Sequence, residues 1–362
     1  MRTVNILNRR YTELTGVIHN HSNSSYDCDV TLDTILQAAI KNRLDYLTIN
    51  DHHALPDEEE IKRSLHKFKE ERAYEPFLLA GAELNDSEEY HHLLTFGSKF
   101  HENNRSTEEY IDLIKNEDGV IFAAHPYEKR VCKDYPLYIW AKIDLLEKVD
   151  GLEIWNYSSS WLSKLHPRRN GIFLLLFPNW FVRNPFRENL ILWDNLNNKG
   201  LRIAAIGSTD AHGTNYKALF FRFRILTHKF LFRTIRTNVL LSEDVKLSND
   251  SILNALKNGN SYVVNYTLGN PYNFYAAIAN DAGDGVSFGE EIEWQKNLKF
   301  FYMLPKNCSV KLYKDGYVQA QQNNSYGSFS ITSSGYYRLQ IERFGASWII
   351  TNNIYVIKNS NS

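Results

Sequence analysis

Apolar residues along this chain fall into short runs that stop, again and again, on a histidine or a carboxylate. Val17 and Ile18 form a strand that ends on His19-Asn20-His21, and in extended backbone residues i and i+2 share a side, so both imidazoles can converge on one point. A polar loop from Ser22 to Asp29 follows and carries Asp27 and Asp29. Leu32, Ile35, Leu36, Ala39 and Ile40 then recur at helical spacing, and the strand Asp45–Asn50 runs into Asp51, His52 and His53. Two strands joined by a helix, with polar residues at their C-terminal ends, predict a β/α unit that builds a site at one face of a parallel sheet or barrel.

The scheme repeats downstream. Residues 54–76 are strongly charged, with Ile61, Leu65 and Phe68 on one stripe, and predict an amphipathic surface helix carrying a solvated His66. Phe77–Leu84 is an apolar strand with Glu83 at its end, and an ionised group at the end of a buried strand needs a partner. In the strand Tyr90–Phe96, His91 and His92 must face opposite sides, so only one of them can point into the site. After a short helix at Thr107–Lys115, the strand Gly119–His125 is stopped by Pro126, which sets His125 at its edge. Val149–Asn156 offers Glu153 and Asn156, with Glu153 as readily a supporting carboxylate as a ligand. A helix closing on Gly200 and a strand Leu201–Ile206 then lead into Gly207-Ser-Thr-Asp210-Ala-His212-Gly.

Three stretches depart from this rhythm. Between 157 and 192, aromatics, basic residues and Pro167, Pro178 and Pro185 mix without a clean period, which fits an insertion at the rim of the site, either a lid or a helical excursion. Lys217–Leu241 interleaves Lys217, Arg222, Arg224, Lys229, Arg233 and Arg236 with aromatics. It reads as a face for an anionic ligand, a subunit contact or an amphipathic element; Arg222 and Arg224, with Asn156, are candidates for holding substrate. A helix at Ser251–Gly259 and a strand at Tyr262–Tyr266 follow. Beyond Leu268, short alternating segments separated by Gly-containing turns predict an all-β, sandwich-like module.

Composition narrows the function classes. Lys+Arg at 41 against Asp+Glu at 42 leaves no excess charge to suggest nucleic acid or a membrane surface as the partner. Cys28, Cys132 and Cys308 are odd in number and far apart, which argues against a disulfide framework; Cys28 reads as a loop residue. No run is long enough to span a bilayer, and the expected location is cytoplasmic.

His-x-His, an Asp eight residues after the first His, an apolar strand ending in Asp-His, and a closing Gly-Ser-(Thr)-Asp-Ala-His together resemble the PHP (polymerase and histidinol phosphatase) metal-dependent phosphoesterases. Thr209 is an insertion relative to that closing motif. The β-rich tail ending on Asn352-Asn-Ile-Tyr-Val resembles the carbaryl-hydrolase-like subgroup. The resemblance implies a distorted (β/α)7 TIM-like barrel over residues 1–266, with the insertion at 157–192, and a β-rich domain at 267–362. It implies two or three divalent ions, Zn, Mn or Fe. His19, His21, Glu83 and Asp210 would hold one; Glu83 would bridge to a second at His92 and His125; Asp27, His52 and His212 would hold a third, with Asp29 as a substitute for Asp27. The implied activity is hydrolysis of a small anionic phosphate ester by metal-bound water, assisted by Asp51 or His53. Carbamate or carboxyl-ester hydrolysis and a non-enzymatic metal-stabilised binding role are the alternatives.

Overall fold

The fold is set by a run of strands that all deliver their polar ends to one side. The computed structural model describes residues 1–358 except 73–74, 89 and 219–220, and gives backbone alone at 71–72, 216–218 and 221–223. Arg9–Val17, Tyr46–His52 and Phe77–Asn85 pair in parallel; His92–Phe96 follows antiparallel to its neighbours on both sides; Val120–Ala123, Gly151–Asn156 and Ala204–Ser208 complete the run in parallel. Tyr46–His52 is buried along its whole length, as expected of a strand covered on both faces. The helix Leu32–Lys41 lays Leu32, Ile35, Leu36 and Ala39 into the core, and Thr107–Asn116 starts on a capping box made by Ser106 and Glu109. The chain is thus a mixed α/β protein built on one large sheet.

The closed barrel expected from sequence is not what the hydrogen bonds show: the ladder is open between Ala204–Ser208 and the opposite edge. On the far side of the gap lies Ile235–Ser242, a strand that the basic, aromatic stretch conceals in sequence; it is antiparallel beside Arg9–Val17 and paired on its other side with Ser261–Asn265. Side chains stand in for a backbone partner across the gap. Thr237 Oγ1 accepts from Gly207 N at 3.0 Å and donates to Gly207 O at 2.8 Å, while the Asn352 amide accepts from Ala205 N at 2.7 Å and donates to Ala205 O at 2.9 Å. Gly207 is required by this approach, because a Cβ there would lie 2.3 Å from Val263 Cγ1. Only beyond the strands do the edges touch, in a parallel bridge between Asn20 and Ala211.

The ladder continues past residue 266. Ser261–Asn265 is bonded to Ile235–Ser242 on one side and to Ala346–Thr351 on the other. Two of the short alternating segments beyond Leu268 are one strand, Lys299–Lys314, whose register shifts between Met303 and Cys308, where Pro305 cannot donate to the ladder. The C-terminal strands share a core with Ile6, Tyr11, Leu240 and Tyr262. Among the described residues, no helix is long and apolar enough to cross a membrane.

One buried ion pair ties these strands to the rest. Arg338, 1 % exposed, donates from Nη2 to Asp194 Oδ2 at 2.9 Å and from Nη1 to Oδ1, with its guanidinium 4.7 Å from the ring centres of Trp193 and Tyr313. Arg338→Met is expected to cost roughly 3–5 kcal/mol in urea denaturation, because it strands the Asp194 charge. Adding Asp194→Leu should recover much of that loss; a single variant as stable as the parent would show that the pair is dispensable.

Candidate metal centre

Six imidazoles and three carboxylates meet where the strands end, and Glu83 lies at their centre. Its Oε1 is 2.7 Å from His92 Nδ1 and 3.4 Å from His125 Nε2; its Oε2 is 2.9 Å from His19 Nε2, 3.2 Å from His21 Nε2 and 3.5 Å from His52 Nε2. Asp210 Oδ1 faces His19 and His21 at 3.5 and 3.6 Å and His212 Nδ1 at 3.4 Å. Asp27 Oδ2 lies 3.0 Å from His212 Nε2 and 3.5 Å from His52 Nε2. His92 arrives because its strand is antiparallel, so that its first residue sits at the same sheet end as its neighbours' last ones. His91 turns away to Asp86 and accepts from the backbone N–H groups of Ala141 and Lys142.

The backbone is bent to achieve this convergence. His19, Asp210 and His125 have φ of 64°, 52° and 27°, conformations that side chains beyond glycine rarely adopt and that concentrate at functional sites. His19 is therefore not extended, and it meets His21 by a left-handed turn rather than by simple alternation.

The charges are mutually supporting. Burial raises the carboxyl groups of Glu83, Asp27 and Asp210, but the imidazoles around them win and hold all three well below the usual carboxylate range. Burial alone would lower His21 and His125. The carboxylates of Asp210 and Glu83 beside His21, and those of Glu128 and Glu83 beside His125, push each up to about 9.

These residues suit a divalent cation. His21 Nε2, His52 Nδ1 and His92 Nε2 are buried without a hydrogen-bond partner, and the donors are nitrogen and oxygen only. Three groups place their ligand atoms within 4.8 Å of one another: His21, Asp27, His52 and His212; His19, His21 and Asp210; and His52, Glu83 and His92. Cys28 is not one of them. Its Sγ donates to the carbonyls of His21 and His212, and burial pushes the thiol up to about 11.

A surrounding layer positions these groups. Glu153 Oε1 accepts from His19 Nδ1 at 2.8 Å, and its Oε2 accepts from His125 N and Asn156 Nδ2. Asn156 also donates to Asp210 Oδ2 and caps the next helix. Glu153→Gln is expected to reduce metal affinity about 10- to 100-fold in a competition titration, the usual effect of losing a carboxylate behind a ligand histidine. Unchanged affinity would remove Glu153 from that role.

Other expected participants lie elsewhere. Asp51 accepts from Ser22 N at 2.6 Å and Ser22 Oγ at 2.7 Å, fixing the loop after His21. His53 turns to Asn85 Oδ1 at 2.8 Å. Asp29 is exposed and pairs with Arg224 at 2.7 Å, which accounts for that arginine, while the side chain of Arg222 lies outside the described residues. Two buried groups went unread in the sequence. His228 Nε2 donates to the His21 carbonyl at 2.9 Å, and its short THKF context offers no signal. Glu128 accepts from Ser159 and from Arg130 Nη2; its spacing from His125 in His-Pro-Tyr-Glu was a cue available to reading.

Above the cluster opens a cavity of about 590 Å³. Asp27, His52, Glu83, His92, His125, Asp210 and His212 form one part of its lining, and the segment from Ser158 to Leu175 forms a wall.

No family model matches the chain, and no curated protein sequence matches it. Among solved structures it is similar to a two-domain protein from Bacteroides vulgatus containing a predicted PHP-like metal-dependent phosphoesterase, with 13% identity, 95% of each chain covered and a TM-score of 0.50. A proposed metal-dependent phosphoesterase from Bifidobacterium adolescentis aligns with 59% of this chain and 92% of its own, at 15% identity and a TM-score of 0.36. The carbaryl-hydrolase-like subgroup is not singled out by either. Over nearly its whole length, then, this chain has the fold of a two-domain protein with a PHP-like part.

Proposed function

We propose that the protein is a metal-dependent phosphoesterase acting on a small organic phosphate. The observation that carries this reading is the gathering of six histidines with Asp27, Glu83 and Asp210 at one end of the sheet, seven of the nine lining one cavity and several buried imidazole nitrogens lacking a hydrogen-bond partner. Its neighbour in fold, the Bacteroides vulgatus protein, contains a phosphoesterase of PHP-like type, and that likeness supports the same reaction class here. His19, His21, Glu83 and Asp210 would hold one ion, Glu83, His92 and His125 a second, and Asp27, His52 and His212 a third. Such ions, when bound, polarise a phosphoryl oxygen and lower the pKa of water toward neutrality.

The chain's own residues supply the rest. The two oxygens of Glu83 face different histidine sets, which suits a carboxylate shared between ions. Glu153 keeps His19 oriented through Nδ1, so that Nε2 points into the centre. Arg130 holds Glu128 at the cavity wall, where it flanks His125. The domains divide at residue 266 in this reading, and the strands beyond it act as a buttress.

Metal analysis of protein purified without added metal, run beside p-nitrophenyl phosphate and p-nitrophenyl acetate with Mn or Zn supplied, tests the proposal. Two or three ions per chain with phosphate turnover are expected. Turnover of the acetate alone would transfer the site to carboxyl-ester or carbamate hydrolysis.

A further inference from the structure

Resting on the phosphoesterase reading, we infer that the substrate is a phosphate monoester of an apolar alcohol, whose hydrocarbon part lies against the wall built by the insertion. The cavity is two-sided in chemistry. Its metal-ligand part is described above; the same cavity is also lined by Leu162, Leu165, Ile172 and Leu175 from the insertion and by Ile225 and Leu226 from the loop before Thr227. Leu226 has φ of 47°, a backbone state that costs a bulky residue free energy which Gly or Asn would largely avoid. Holding leucine there places an apolar side chain on the wall. The apolar character continues past the mouth, where Ile172 is 72 % exposed and Phe173, Leu176 and Trp180 are also exposed.

The polar inventory of the wall points the same way. Among the described lining residues there is no lysine, and Arg130 is the single arginine. Its three guanidinium nitrogens are engaged with Glu128, the Pro136 carbonyl and the Lys129 carbonyl. A second phosphate would find no lysine and no uncommitted guanidinium nitrogen among these residues, and the hydroxyls of Tyr26, Tyr135, Tyr138, Ser158 and Thr214 belong to the lining outside the apolar wall. A hydrocarbon loses nothing polar there and gains by burial.

The reaction balances with water alone. A P–O bond forms to the water oxygen as the ester P–O bond breaks; the alcohol leaves with one proton, and inorganic phosphate departs with the other.

Gly171 gives a clean probe. It lines the cavity within the helix Pro167–Leu176, and a Cβ built on it meets only Leu165 Cδ1, at 4.0 Å. A Cβ is accommodated there without a clash, and a larger side chain is expected to extend into the cavity that Gly171 lines. The experiment measures kcat/KM of the metal-loaded protein on ethyl, butyl, hexyl and octyl phosphate, on glucose 6-phosphate, and then on the Gly171→Phe variant, with Gly171→Ala as a folding control. The expected result is a rise of roughly three- to fourfold per added methylene until the cavity fills, poor use of glucose 6-phosphate, and at least a tenfold drop in the octyl-to-ethyl ratio in Gly171→Phe. Hydrolysis of all esters with a flat chain-length profile, or preference for the sugar phosphate, overturns the apolar-substrate inference and leaves the phosphoesterase standing. Failure to cleave any phosphate ester with ions bound overturns the phosphoesterase reading itself.

Discussion

Replacing Glu83 by Gln is expected to strip the centre of metal and lower phosphate-ester turnover by well over a hundredfold. The expectation follows from how many ligands depend on this one side chain. Both Glu83 oxygens are committed, Oε1 between His92 and His125 and Oε2 among His19, His21 and His52. Gln keeps the shape but halves the acceptors, and turns an NH₂ toward nitrogens that need a negative charge between them. Residues that merely support a ligand already cost about 10- to 100-fold when lost, so a carboxylate shared between sites should exceed that range. Ion content by elemental analysis and kcat/KM on p-nitrophenyl phosphate give the readout. If Glu83→Gln kept its ions and its turnover, Glu83 would be a counter-charge for the histidines and the shared-ligand assignment would be lost.

The candidate centre was legible in the sequence because strand ends are legible. An apolar run stopped by a polar residue locates the edge of a sheet, and alternation then says which neighbours share a face. That logic says that His91 and His92 face opposite sides, and the resemblance to the family pattern chose His92. Alternation fails where the backbone leaves the extended region, as at His19, His125 and Asp210, and no local pattern announces a positive φ in histidine. The strand on the far side of the gap was illegible for a different reason. Ile235–Ser242 carries Arg236, and charge suggested a solvated element. In the structure Arg236 is 8 % exposed, its Nε donating to the Phe232 carbonyl at 2.7 Å and its guanidinium lying 4.3 Å from the Tyr266 ring centre. A buried arginine covered in part by residues distant in sequence, here the Asn42 carbonyl and the Tyr266 ring, cannot be told from a surface one by its neighbours in sequence. Gap-filling side chains such as Thr237 and Asn352 are likewise visible only once the edges they join are in place.

Removing the ions with a chelator is expected to leave a protein whose stability falls as pH rises from about 6.5 to about 9, while the metal-loaded protein is spared that fall. His21 and His125 have ordinary values of 6.5 and are pushed up to about 9 in the folded chain by the carboxylates around them, against the opposing effect of burial. A histidine raised on folding contributes stability that is fully present below its unfolded pKa and is lost as pH climbs through the folded one, so the loss spans this window. Asp27, Glu83 and Asp210 are shifted down; their contribution is present above the ordinary carboxylate range and vanishes only in acid, outside the window. His228 works in the other direction: burial depresses it to about 3, so its share is present above pH 6.5 and lost on acidification, again outside the alkaline limb. Ligation needs neutral imidazole, so a bound ion takes the place of these protons and its affinity grows as they become easier to remove. The difference in Tm between Mn-loaded and stripped protein should therefore widen from pH 6.5 to pH 9, with proton release on binding visible by calorimetry in two buffers of different ionisation enthalpy. A stripped protein with a flat alkaline limb and no proton release would mean that the imidazoles are neutral without metal, and that the carboxylates do not hold the empty centre together.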